Sequence, residues 1–207
     1  MDATEHATDD ATEAALLTAF WEIIARHGWA GVTLRRLAAA AGLTAGQIRA
    51  MAPGGKEDLL RLHGEHIDRL VAASTVPGQG GTPRDRIFDV IMRRIDAMQP
   101  HRAGLLRFLK DLPRRPDLLL ALAPGLPASM ARLLDAAELS PEGLAGQVRV
   151  QGLTLVWLAT IRSWVEDAAP DLGKTMAALD RALDRAERVA RTLRLAPGDQ
   201  AAEAALD

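Results

Sequence analysis

Thr44, Gln47 and Arg49 lie within the stretch LTAGQIRAM, and together they are the side-chain types that touch nucleic acid. An arginine can pair bidentately with guanine and a glutamine with adenine, each worth roughly 1 to 3 kcal/mol of discrimination when well placed. A threonine hydroxyl serves as a phosphate contact or as a helix cap. Arg35, Arg36 and Lys56 lie to either side, and from Arg26 to Lys56 the chain has five Lys or Arg and no Asp or Glu. An acid-free run of that kind is what a polyanion would meet. The plainer alternative is that Gln47 and Arg49 are solvated polar residues on a short helix.

For these side chains to act together, short helices must hold them. Thr33 is placed to cap a helix whose apolar residues are Leu34, Leu37, Ala38 and Ala41, and Gly42 offers the left-handed residue that closes it. Thr44 then caps a second, shorter helix carrying Ile48 and Met51, ended by Pro53-Gly54-Gly55. Two helices joined by a turn containing Gly form a helix-turn-helix, the second helix fitting a major groove. Upstream, Leu16, Leu17, Phe20, Trp21, Ile23 and Ile24 predict a first helix with a wide buried stripe, starting near Asp9 or Asp10. Trp29 reads as a core plug, with base stacking as the alternative.

Composition removes other chemistries. The chain has no Cys, which excludes disulfides, thiolate metal sites and cysteine nucleophiles, and suits a reducing cytoplasm. A net charge of −2 means that DNA binding must come from local asymmetry and not from bulk charge. There is no G-x-S-x-G elbow, no H-E-x-x-H and no carboxylate pair that the pattern gathers in a cleft, so no catalytic residue, cofactor or enzymatic activity is expected. His63 and His66, one turn apart around Glu65, could supply two metal nitrogens; lacking a third ligand, they read as packed or exposed histidines, and no metal is expected. No run of eighteen uninterrupted apolar residues suggests a membrane span.

The rest of the chain predicts an all-α protein with these parts: 1–9 a disordered leader, 10–56 the helix-turn-helix domain, 57–76 a connecting helix, 77–83 a Pro/Gly-rich linker loop, 84–195 a larger helical domain for ligand and dimer contacts, and 196–207 a disordered tail. Pro100, Pro113, Pro116, Pro124 and Pro127 cut that larger domain into short segments. Ser140-Pro141-Glu142 starts a longer helix whose apolar face includes Leu144, Val148, Leu155, Leu158, Ile161 and Val165. A last amphipathic helix opens at Pro170-Asp171 and carries Leu172, Met176, Leu179, Leu183, Ala186, Ala190 and Leu193. Its arginines 181, 185, 188, 191 and 194 lie largely outside that seam. It packs on the body or on a dimer partner, or it lies on a membrane surface. Phe88, Met92, Phe108, Met130, Gln151, Trp157 and Trp164 are bulky, adaptable or polar groups that could line a pocket for a small apolar or lipid-like ligand, the alternative being an ordinary core.

Gly28-Trp29, VTLRRLA at 32–38, AGLT at 41–44, Gly46, Pro53 and KEDLL at 56–60 follow in order, and nearly in spacing, the N-terminal domain of TetR-type transcriptional regulators, which this chain resembles. The resemblance implies a three-helix DNA-binding head on a helical ligand-binding body, a homodimer, and a palindromic operator. It assigns Arg35, Arg36, Thr44, Gln47, Arg49 and Lys56 to DNA. The pattern departs at Ala45, where those regulators carry Lys, and at Ala50, which offers a base edge no more than a methyl. Residues 84–94, RDRIFDVIMRR, and 167–175, DAAPDLGKT, also resemble the lipid-binding proteins of coenzyme Q biosynthesis, which share the TetR-like fold. That second resemblance implies a bound isoprenoid or other lipid, no reading of DNA, and peripheral membrane contact through the last helix.

Overall fold

Proline and glycine set the helix lengths. The computed structural model describes residues 3–78 and 80–192, and these contain α-helices and short 3-10 turns with no strand. The helices are α1 (Ala3–His27), α2 (Leu34–Ala41), α3 (Ala45–Met51), α4 (Lys56–Ser74), α5 (Pro83–Met98), α6 (Arg102–Asp111), α7 (Pro116–Leu122), α8 (Gly125–Ala136), α9 (Gly143–Glu166) and α10 (Gly173–Thr192). The all-α expectation therefore holds. Two termini differ from expectation: α1 begins at Ala3, ahead of Asp9, and α10 begins at Gly173, after Asp171. The expected disordered tail, and Leu193 and Arg194 of the last helix, lie outside the described residues.

Two compact units form, each built from two pieces of chain: residues 1–70 with 95–125, and residues 71–94 with 126–207. The segment 84–195 is thus not one body, because α6 packs on α1 and carries residues 95–125 into the first unit. Glycine permits that packing. A Cβ at Gly104 would lie 2.3 Å from the Trp21 carbonyl oxygen, far inside contact distance, so only glycine lets α6 approach the α1 backbone. Phe108, one turn further on, then meets Trp21 and Trp29 at 5.9 and 5.6 Å between ring centroids.

Burial in the first unit follows the predicted stripe. Leu16, Leu17, Phe20, Trp21, Ile23 and Ile24 of α1 are buried, as are Trp29, Val32, Leu37 and Ile48. Each such side chain withdrawn from water contributes about 1.5 to 3 kcal/mol. Trp29 is the core plug: it is 4% exposed and meets Phe20 edge-on. His63 is also buried, edge-on to Trp21, with its Nε2 3.3 Å from Nδ1 of His101, and His101 lies 3.4 Å from the Thr18 hydroxyl. His66 turns the other way and shares Glu13 with Arg69. Among the described residues no three His, Asp or Glu side chains converge as metal ligands.

In the second unit α9 packs on α10. The turn between them is held by Asp167, a buried carboxylate that accepts the Thr175 N–H and hydroxyl, each at 2.8 Å. Burial pushes this carboxyl up, but donation by Thr175 outweighs it and leaves Asp167 below the usual carboxylate range. On α5, Arg84 fans out to Asp184 at 2.6 Å, to Asp180 at 2.5 Å and to Glu187 at 3.5 Å, tying α5 to one stripe of α10. Residues Pro116–Ala136 are long and apolar enough for a membrane span by composition, yet the turn at residues 123–124 divides them into α7 and α8. Ser129, Met130, Leu133 and Leu134 of α8 are buried.

Candidate nucleic-acid interface

Helices α2 and α3 end and begin as their capping residues dictate. The Thr33 hydroxyl accepts the Arg36 N–H, and Gly42, at φ 68°, closes α2 in the left-handed region that disfavours side chains. Thr44 and Gln47 cap α3 reciprocally: the Thr44 hydroxyl accepts the Gln47 N–H at 3.2 Å, while Gln47 Oε1 accepts the Thr44 N–H at 2.9 Å and its hydroxyl at 2.8 Å. Ile48 then points into the core and leaves the opposite face of α3 to solvent.

Gln47 and Arg49 are both exposed on that face. Their capacities differ. Reading adenine bidentately takes both ends of a glutamine amide, and the oxygen of Gln47 already accepts two hydrogen bonds, so only its NH2 group remains for a partner. Thr44, likewise, is committed to the cap. Arg49 and Arg35 are exposed guanidinium groups with no ion pair among the described residues. Arg36 is exposed, but its Nη1 donates to the Gly31 carbonyl at 2.9 Å, which fixes the side chain along the start of α2.

Lys56, which the resemblance assigns to DNA, packs over Trp29. Its ammonium lies 3.4 Å from the Trp29 carbonyl oxygen and 4.7 Å from the centroid of the Trp29 ring. A cation over an indole face contributes about 0.5 to 1 kcal/mol at an exposed site, and more when partly desolvated. Lys56 therefore locks the head together. Gly54 serves the same end, its N–H donating to Asp58 in the first turn of α4. Sequence reasoning missed both structural roles of Lys56 and Gln47, although the capping box was visible as Thr44-x-x-Gln47.

The expected ligand set does not stay together. Met130, Trp157 and Trp164 are buried in the second unit, and Phe88 and Met92 are half-buried there. Phe108 belongs to the first unit and packs on Trp21 and Trp29, so it leaves the set. Gln151 leaves it too, because it is exposed on the outer face of α9. Arg94, itself buried, covers the Trp157 ring with its guanidinium carbon 4.9 Å from the centroid.

Around α9 the apolar face points outward. Leu144, Val148, Leu155, Leu158 and Val165 are exposed, with Gln151 and Arg162 completing a stripe at alternating steps of four and three. Val150, Leu153, Trp157, Thr160 and Trp164 form the buried side.

An all-α protein with a capped helix-turn-helix is the class that this geometry defines. Comparison with solved structures specifies the fold: the chain has the TetR fold. It is similar to a TetR transcriptional regulator from Nitrosomonas europaea ATCC 19718, with a TM-score of 0.67 and 19% identity over 84% of this chain and 97% of that one. A TetR transcriptional regulator from Rhodococcus sp. RHA1 gives a TM-score of 0.59 and 19% identity over 86% and 97%. A putative TetR-family regulator from Mesorhizobium loti MAFF303099 gives 0.52 and 12% over 86% and 96%. No family model and no curated protein matches the sequence.

Proposed function

We propose that this protein is a ligand-responsive, DNA-binding transcriptional regulator of the TetR type that acts as a homodimer on a palindromic operator. The observation that carries the reading is α3: a Thr44-capped helix, buried through Ile48, that presents Arg49 to solvent within a stretch, Arg26 to Lys56, that has no Asp or Glu. Arg49 is the base-reading candidate. Arg35 and Arg36 serve as phosphate contacts, and Thr44 and Gln47 set the pitch of the helix with the Gln47 amide NH2 as an auxiliary donor.

The outward stripe of α9 supports the dimer. Its heptad-like spacing suits a second copy of the same helix, and a two-fold assembly would present two heads to half-sites about 34 Å apart. An apolar effector in the second unit, against Phe88, Met92 and Trp157, would then shift operator affinity by favouring one arrangement of the pair. The test is selection of bound sequences from random duplex DNA, followed by anisotropy titration at several salt concentrations. A palindromic preference and a steep fall in affinity with salt are expected; binding without sequence preference would overturn the reading.

A second reading, a TetR-fold lipid-binding accessory protein of ubiquinone biosynthesis that no longer reads DNA, draws on α10. Arg84 gathers the acids of that helix, and Arg181, Arg185, Arg188 and Arg191 are left exposed on it. Such a stripe favours an anionic membrane surface. Co-sedimentation with vesicles containing anionic lipid, together with absence of operator selectivity, would favour this reading over the first.

A further inference from the structure

The turn joining α1 to α2 faces the segment joining α6 to α7 across a cleft of about 270 Å³, wholly within the first unit. That volume is close to the lower end of small-molecule sites, which run from about 300 to 1,000 Å³. Its base is apolar. Trp29, Phe108 and Leu118 line it, all nearly buried, with the two rings tilted at 53° and 5.6 Å apart.

The rim is cationic and only partly neutralised. Arg107, Arg114 and Arg115 line the cleft against a single carboxylate, Asp111. Arg107 is paired with Asp111 at 3.1 Å, and Arg115 with Asp117 outside the cleft. Arg114 is exposed and has no carboxylate partner shown among the described residues. The indole Nε1 of Trp29, like that of Trp21, is buried with no hydrogen-bond partner among the described residues, so its resonance reports on the packing of the base.

We propose that this cleft is a binding site for a small aromatic carboxylate. Such a molecule matches both halves of the site: an apolar body for the Trp29–Phe108–Leu118 base, and an anionic group that neutralises Arg114. A neutral aromatic leaves Arg114 unpaired, and an aliphatic diacid leaves the base uncovered. The site is distinct from the pocket expected in the second unit and does not depend on DNA binding. Occupancy would bear on the α1–α2 turn, where Gly28 holds φ 67° and ψ −178° with Arg107 and Asp111 packed against it.

The probe is 1-naphthoate, with 1-naphthalenemethanol as its uncharged counterpart, titrated into the full-length protein by calorimetry and followed through the indole N–H resonances in ¹⁵N-labelled protein. The chain has four Trp, so the Trp29 resonance can be assigned by its loss in Trp29→Phe or by elimination from single replacements of the other three. Saturable naphthoate binding that moves the Trp29 resonance is expected, with affinity at least about fivefold above the alcohol and reduced about fivefold in Arg114→Gln, the scale of one lost charge-assisted hydrogen bond at an exposed group. Equal affinity for acid and alcohol would overturn the proposal. So would unchanged binding to Arg114→Gln, or shifts confined to Trp157 and Trp164.

Discussion

Helices α3 and α9 both offer side chains that a sequence pattern assigns to a partner, and they dispose of them in opposite ways. At the start of α3 the polar residues turn back on the helix itself: Gln47 and Thr44 satisfy each other, and nearby Lys56 covers Trp29. On α9 the apolar residues turn away from the core, leaving Leu144 83% and Leu155 69% exposed. Residue type identifies what a side chain can bind, whereas packing decides whether it is still available. A short helix has few internal hydrogen bonds and recruits its own polar groups for its ends. A long helix with a filled inner face has no further use for a second apolar stripe.

The largest expected effect tests the platform on which α3 rests. Gly104→Leu drives a side chain into the Trp21 backbone and should destabilise the first unit by about 3 kcal/mol or more, seen as a lowered Tm or failure to fold. Gly152, mid-way along α9, has nothing within 4 Å of a new Cβ, and Gly152→Ala should raise stability by about 0.4 to 1 kcal/mol. Equal effects at the two glycines would erase the contrast in packing.

Next comes the outward stripe. Leu155→Glu combined with Leu158→Glu should convert a dimer to a folded monomer, read by light scattering with the helical circular dichroism unchanged, because both positions lie outside the core. A mass that stays the same would place the interface elsewhere. For α3, Arg49→Ala should weaken operator binding by about 1 to 3 kcal/mol with no change in Tm. Gln47→Ala should do the reverse, lowering Tm by removing half of a capping box, about 0.5 to 2 kcal/mol, and changing base preference little. Exchange of these two outcomes would reverse the roles assigned to the pair.

The smallest effects are in pH dependence, where the two units should respond in separate windows. His101 is held below the ordinary histidine value by burial and then by the nearby His66 charge, so its neutral form is favoured in the folded state. Stability contributed there is present above about pH 6.5 and declines as pH falls toward the depressed folded value. Asp167 is depressed as a carboxylate, and its contribution persists until the pH drops through its folded value, below the usual carboxylate range. Melting curves between pH 7.5 and 3 should therefore soften first in His101-dependent fashion, an effect absent in His101→Asn.

Most of the helical order was legible because its signals are local. Thr33, Gly42, Thr44, Pro83 and Pro116 act within a turn of where they stand, and helices begin or end beside each of them. The start of α1 was less so: acidic residues suit a helix N-terminus but do not exclude helix before it, and α1 continues back to Ala3. The pairing of α6 with α1 was invisible, because Gly104 carries no sign of which backbone it will approach. The same holds for Phe108, whose apolar character fits either unit. Of the DNA set, Arg35 and Arg49 are exposed, as their polar positions beside Leu34, Leu37 and Ile48 suggest, while the contact of Lys56 with Trp29 joins residues 27 apart and leaves no local sign.

The reciprocal cap at Thr44 and Gln47 has an evolutionary corollary. One residue there serves the integrity of the helix and, through its remaining NH2, whatever the helix touches, so a replacement that altered recognition at 47 would also unlace the first turn. If α3 reads DNA as proposed, changes of target choice would fall to Ala45, Arg49 and Ala50, whose side chains take no part in the cap.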